Sequence, residues 1–171
     1  MWLRSLFFAV LMGGLAAPVV AQDCDKSRPA TAPMSQFKVG PDGAITDTKS
    51  KHTWLRCPAG MSWDGSTCTG QSHTYTWNDA LEVVSEFNAK KVGGRSNWRL
   101  PKVEELNTIV EKQCFKPAIN LEAFPFSPES GFWTDSSLDG AQPRVWIVHF
   151  LHGQQYIANK KQDWRIRLIA D

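Results

Sequence analysis

The sequence predicts an α+β domain, with two helices packed on an antiparallel sheet. Three observations carry this. Short strand-like runs stand near both ends, at Ala44-Ile45-Thr46 and again from Val145 onward, where apolar side chains alternate with period two. Between Thr76 and Val110 they recur at helical spacing instead. Strands, then helices, then more strands is the element order of an α+β fold.

Residues 1–21 read as a secretory leader. Arg4 gives a positive start, and Leu6 to Ala17 is an apolar run broken only by Gly13 and Gly14. Val19-Val20-Ala21 then predicts cleavage after Ala21. The run is too short for a permanent anchor. Asp23 ahead of Cys24 argues against lipidation. No second long apolar run follows, so the expected chain is secreted or periplasmic and not inserted in a membrane. Residues 22–36 are polar, with Pro29 and Pro33, and read as an extended arm. Residues 37–171 form the domain. Removing the leader leaves roughly 150 residues, enough for one core.

The whole chain carries 19 Lys and Arg against 17 Asp and Glu. So near a balance excludes strong attraction to nucleic acid through net charge. Eight tryptophans predict a rigid aromatic core, with room for one ring to stack on a ligand. All four cysteines, Cys24, Cys57, Cys68 and Cys114, follow the leader, and an even count in an oxidising compartment reads as two disulfides. Three connectivities exist. Cys57 and Cys68 flank Trp63-Asp64-Gly65-Ser66, where Asp-Gly signals a turn, so these two are paired. That leaves Cys24 with Cys114. No Cys-x-x-Cys is present, and no cysteine sits near a histidine at metal-ligand spacing.

The elements follow in order. Gly40-Pro41-Asp42-Gly43 is a turn before the short strand at Ala44-Ile45-Thr46, and Thr53 to Cys57 is a further strand. Thr76 starts the first helix by capping the N–H of Asp79. Ala80, Leu81, Val84 and Phe87 give it one buried face. Lys90-Lys91 suit its C-terminus and Gly93-Gly94 stop it. Pro101 opens the second helix, whose stripe is Val103, Leu106, Ile109 and Val110, with Glu104 and Glu105 in the first turn. Gly131 to Thr134 is a short strand. Val145 to Phe150 is a stronger one, with Trp146, Val148 and Phe150 on one face. Gly153 turns the chain and Gln155 to Ala158 returns. Trp164 to Ile169 alternates again: Trp164, Ile166 and Leu168 face the core, and Arg165 and Arg167 face outward.

Several segments together resemble the Lcl C-terminal-like family, bacterial domains long of unknown function. The centre is Ser96-Asn97-Trp98-Arg99-Leu100-Pro101 followed by Val103-Glu104-Glu105-Leu106. Asp42-Gly43, Thr46-Asp47 and Trp54 resemble its opening strand, and Trp63 to Cys68 its disulfide loop. Thr76-Trp77-Asn78-Asp79-Ala80 resembles its first helix start. Phe124-Pro125, Phe132-Trp133-Thr134 and the Trp146/Phe150 hairpin complete the set, from about Phe37 to Leu168. The resemblance implies a C-type-lectin-like fold with the first and last strands paired. It also implies a secreted or surface location and adhesive company; one relative binds sulfated glycosaminoglycans. Trp77-Asn78-Asp79 spells the calcium-binding triplet of true C-type lectins, but here it opens a helix, and Gln142-Pro143 is followed by Arg144. Calcium-dependent sugar binding is therefore not expected there.

Catalytic motifs are missing: no Gly-x-Ser-x-Gly, no His-Glu-x-x-His and no phosphate-binding glycine loop. The cysteines, committed to disulfides, do not match formylglycine-generating enzymes of similar fold. His149 and His152 suit a hairpin better than a shared metal. His52 and His73 flank the disulfide loop with no strong case for pairing. Glu104 and Glu105 are adjacent and serve the helix start. Trp98 and Leu100 are core residues, and Arg99 is expected to pair with a carboxylate or with carbonyls. No metal and no cofactor is expected. The remaining candidate is a basic cluster, Arg144, Lys160, Lys161, Arg165 and Arg167, suited to an acidic glycan or a protein carboxylate. The expected function is non-catalytic recognition of a glycan or an envelope or surface protein. The alternatives are a periplasmic partner of a secretion or pilus assembly, and an enzyme acting on envelope polymers.

Overall fold

The first element of the domain body is a hairpin made by a tight turn. Gly40 N–H donates to Ala44 O at 2.9 Å, and Ala44 N–H to Pro41 O at 3.0 Å. Gly43 takes a φ of +75°, which favours glycine. The computed structural model describes residues 22–138 and 143–171; the leader and its cleavage position lie outside them. In chain order the strands and helices are β1 (Asp23–Cys24), β2 (Phe37–Val39), β3 (Ala44–Asp47), β4 (Thr53–Leu55), β5 (Met61–Trp63), β6 (Cys68–Gly70), α1 (Trp77–Ala89), α2 (Val103–Asn107), β7 (Cys114–Phe115), β8 (Gly131–Ser137), β9 (Arg144–His149), β10 (Gln154–Asn159) and β11 (Ile169–Ala170).

These strands form four antiparallel sheets, ordered β11-β4-β3-β2, β10-β9-β8, β5-β6 and β1-β7. The architecture is α+β, as expected. The pairing of first with last strand is not what is observed. β11 adds to the free edge of β4, and β2 lies at the opposite edge of that sheet. The earliest strand, β1, pairs with β7, where the Cys24–Cys114 disulfide holds it. Short turns stack β2, β3 and β4 side by side, and the last strand joins this meander at its β4 edge.

α1 begins as its cap predicts, with Thr76 Oγ1 accepting from Asp79 N–H at 3.3 Å. Its inner face is Ala80, Val83, Val84 and Phe87; Leu81 is 42% exposed and does not belong to it. The helix ends at Ala89 with Lys90 as its cap, and Lys91, in the left-handed region, turns the chain into a 3-10 turn over Val92–Gly94. Asn88 fastens that end, accepting from Trp98 N–H at 2.7 Å and donating to Trp98 O at 2.9 Å. α2 is shorter than its stripe predicts. Thr108 Oγ1 donates to Glu105 O at 2.7 Å, taking up a carbonyl at the helix end. Val103, Leu106, Ile109 and Val110 are nonetheless all buried.

The core has two parts. One gathers Trp54, Leu106, Ile109, Phe124, Phe132, Val148 and Phe150; the other gathers Ala80, Trp98, Leu100, Trp133, Val145, Ile147, Ile166 and Leu168. β9 is buried on both faces, which is why its strand signal was strong. The same double burial defeats the alternation read from Trp164 to Ile169. Arg165 exchanges backbone bonds with Gly131 and Trp133 on one side. On the other side Ala59 N–H donates to Ile166 O and Leu55 N–H to Leu168 O. Every residue from Ile166 to Ala170 is buried, and Arg167 has no exposure at all. Arg167 does not face outward.

Candidate functional site

A groove of about 980 Å³ opens between three segments: the β2–β3 turn, the β5–β6 hairpin and α1. Each segment is held by local chemistry. In the hairpin turn, Asp64 Oδ1 accepts from Ser66 N–H and Thr67 N–H, both at 2.8 Å. Those bonds hold its carboxyl below the usual carboxylate range. The Cys57–Cys68 disulfide ties the turn end of the hairpin, where Cys68 stands opposite Trp63, back to the segment after β4. Trp63, beside that turn, lies against the β2–β3 turn. A Cβ on Gly43 would stand 2.6 Å from Trp63 Cβ, so only glycine admits this approach. The Arg56 guanidinium sits 4.2 Å from the Trp63 ring centre and is fixed by bonds to Ala123 O (2.9 Å) and Glu122 O (2.7 Å). Burial lowers the Arg56 pKa, with Glu122 opposing.

α1 supplies Val83, Glu86 and Phe87 to the lining, its C-terminal cap Lys90 adds a cation, and Tyr75 joins them ahead of the helix. Burial, and then Glu86, push the Tyr75 phenol up. Lys90 Nζ pairs with Glu86 one turn back at 3.1 Å. Asp42, Asp64 and Glu86 face Arg56 and Lys90, so neither sign of charge dominates. The lining contains no histidine, and Cys57 within it is bridged. The chemistry on offer is aromatic faces, hydrogen-bonding groups and charges of both signs, in a volume within the usual ligand-site range.

The sequence-predicted basic cluster is only partly assembled. Arg144 pairs with Asn159 across β9 and β10, and Lys160 N–H donates to Pro143 O at 2.8 Å. Arg144, Lys160 and Lys161 therefore share one end of that ribbon. Lys160 Nζ lies 3.8 Å from the Trp77 ring centre. Arg165 is half-buried and donates to Ser72 O; burial lowers its pKa. Arg167 is removed from the surface entirely. Its guanidinium donates to Leu55 O at 3.0 Å, to Arg56 O, and to Ser127 Oγ at 2.7 Å. Burial lowers it to about 9, which still leaves it a cation at neutral pH. The faces of Phe124 and Phe132 lie against it, and among the described residues no carboxylate pairs with it.

Arg99 meets carboxylates, as expected. It holds Glu105 with two bonds of 2.7 and 2.8 Å and Asp171 at 2.7 Å. These contacts raise its pKa. Burial works against the Glu105 charge, but Arg99 and the Lys102 N–H outweigh it and hold the carboxyl low. His52 joins this group rather than His73, reaching Asp171 at 3.1 Å and Glu105 at 3.5 Å. His52, Glu105 and Asp171 place donor atoms within 4.8 Å of one another, which is metal-ligand proximity. Arg99 already supplies the positive charge there, so the group is a clamp on the C-terminal strand. His149 packs against Tyr156 and Trp164, and His152 against Phe115.

The family model described as the Lcl C-terminal domain matches residues 43–170. The chain belongs to that family. A search of curated proteins finds no match. The Lcl C-terminal domain match opens on Gly43, the glycine under Trp63, and closes on Ala170, the last residue of β11. It therefore contains the hairpin and helix walls of the groove and most of the Arg99 clamp. The groove was not anticipated from sequence. Its traces were the two turn signals and the unassigned Trp63 and Tyr75, which nothing in a linear reading brings together.

Proposed function

We propose that this Lcl C-terminal domain is a non-catalytic recognition module of the cell exterior or envelope. In this reading it binds an extended, uncharged or mixed-charge glycan in the groove between α1 and the disulfide hairpin. The observation that carries it is the groove itself: aromatic rings and polar groups line a preformed trough that carries charges of both signs, with Lys90 paired to Glu86 and Arg56 bonded to carbonyl oxygens. Sugar rings offer flat apolar faces and many hydroxyls, and such a lining meets both. Ser66 Oγ does donate to Asp64 Oδ1 at 2.9 Å, but that oxygen also accepts from the Ser66 and Thr67 N–H groups and so serves the hairpin turn, which favours binding over catalysis. Two disulfides and a leader-like start support work outside the cytoplasm. The two helices, the hairpin and the antiparallel sheets are compatible with a C-type-lectin-like arrangement, the finer fold proposed here.

The test is a glycan-binding screen with and without calcium, comparing wild type with Glu86→Ala and Lys90→Ala. Both side chains are exposed, so the fold should survive. The expected result is a neutral or zwitterionic glycan whose affinity falls in both variants and ignores chelator. A ligand held equally by both variants, or one that needs calcium, would place recognition elsewhere.

A second reading rests on Arg144, Lys160 and Lys161, gathered at one end of the β9–β10 ribbon. Three cations suit a short acidic segment, but the loss of Arg165 and Arg167 from the patch makes this the weaker reading.

A further inference from the structure

β10 is the outermost strand of the β10-β9-β8 sheet, and among the described residues nothing pairs with its other side. The register fixes which backbone groups are free. Lys160 N–H donates to Pro143 O, and Gln154 stands opposite His149. Even-numbered residues of β10 therefore spend their N–H and C=O on β9, and Gln155, Ile157 and Asn159 present theirs outward. Asn159 N–H is already taken by Gln162 Oε1 at 2.9 Å. The open stretch is thus Gln155 to Ile157.

Edge strands of monomers are normally guarded by charge, proline or a bulge. This one has none of them. Its sequence is Gln-Gln-Tyr-Ile-Ala-Asn, and six successive residues pair with β9 without a break. Tyr156 is 46% exposed and Ile157 47%, one on each face of the strand. The edge carries no charge that would repel a second copy of itself.

We propose that two copies of this chain associate through β10, antiparallel about a two-fold axis at Tyr156. Only that centre matches the free groups. It sets Gln155 of one copy opposite Ile157 of the other, and each such pair exchanges two N–H···O bonds. Centring on Ile157 would instead set Gln155 against Asn159, whose N–H is occupied. With Tyr156 at the centre, the two Tyr156 rings meet on one face and Ile157 packs beside Gln155 on the other. The two sheets become one continuous sheet, an isologous contact that closes on itself.

Sedimentation of the purified protein across a range of concentrations tests this, with two double variants. Gln155→Lys with Ile157→Lys sets lysine opposite lysine in both pairs. Gln155→Glu with Ile157→Lys sets glutamate opposite lysine in the same places. The wild type should be a reversible dimer. The first variant should be a monomer with an unchanged circular dichroism spectrum, and the second should recover dimer, the two differing at least about tenfold in Kd. As a check independent of charge, Tyr156→Cys should form a covalent dimer on mild oxidation, because directly opposed residues at such a site lie roughly 4.5 Å apart. Leu81→Cys, exposed on α1, should not. A monomeric wild type, equal behaviour of the two double variants, or equal cross-linking at positions 156 and 81 would overturn the proposal.

Discussion

Arg167 and Ser127 meet in the interior. The guanidinium Nη2 donates to Ser127 Oγ at 2.7 Å, and the Ser127 hydroxyl in turn donates to Phe124 O at 2.8 Å. Arg167 thereby joins three parts of the chain: its own C-terminal segment, the end of β4 through Leu55 and Arg56, and the Phe124–Ser127 loop. A cation this deep persists because carbonyl oxygens and ring faces surround it, replacing the water it lost.

Arg167→Met should therefore cost about 3 kcal/mol or more. Methionine fills much of the space but leaves the Leu55 and Arg56 carbonyls without a donor. Urea unfolding of the two proteins gives the difference. A loss within about 0.5 kcal/mol, the range of ordinary surface changes, would contradict the burial described here.

Glu111 sets part of the acid limit. It is buried and accepts from Thr31 N–H and Ala32 N–H at 2.9 Å each, and from Gln113 N–H at 2.9 Å. Burial disfavours its charge, but these donors outweigh burial and hold the carboxyl below its ordinary 4.5. Its stabilisation is fully present above about 4.5 and is lost as pH falls through the lower folded value. Glu111→Gln should be less stable than wild type at neutral pH, with the gap closing below pH 4.5. Melting curves across that window check it; a gap that stays constant would remove Glu111 from the acid response.

Local signals in the sequence translated well where one residue fixes one backbone feature. Thr76 capped α1, the Gly40–Gly43 turn formed, and Cys57 and Cys68 bridged around Asp64-Gly65. The two-sided positions did not. Alternation at Arg165 and Arg167 reads as an outer face only if one side of the segment meets water, and here neighbours fill both sides. Leu81 failed for the opposite reason: its helical spacing is right, but Val83 occupies the inner face instead. The groove escaped a linear reading because its walls come from residues near 42, 63 and 87, each unremarkable alone.

Gly43→Ala tests whether the groove is built by close approach. The added Cβ would fall 2.6 Å from Trp63 Cβ and 2.7 Å from its Cγ, at a φ of +75°. Trp63 must then leave the turn, and Arg56 loses the ring beneath it. Stability should drop by roughly 1–3 kcal/mol. Any glycan bound in the groove should weaken more than it does in a Gly65→Ala control, where a Cβ meets nothing within 4 Å. Equal effects of the two substitutions on binding would separate Trp63 from the site.

The two disulfides should divide stability from binding. Cys24 and Cys114 are 90 residues apart, and Cys57 and Cys68 only 11. On the chain-entropy account the longer loop stabilises more, about 4.7 kcal/mol for a loop near 100 residues against about 3 for one near 15. Replacing Cys24 and Cys114 together by serine should lower the melting temperature further than replacing Cys57 and Cys68. It should also loosen β1 and expose residues 22–36 to protease, while the groove stays intact. Removing the Cys57–Cys68 bridge should do the reverse: a smaller loss of stability, but weakened glycan binding, because the end of the β5–β6 wall that carries Trp63, opposite Cys68, is no longer tied down. Parallel melting curves, limited proteolysis and binding on the two double variants read this out. If both variants lose stability and binding in the same proportion, the hairpin has no separate part in recognition.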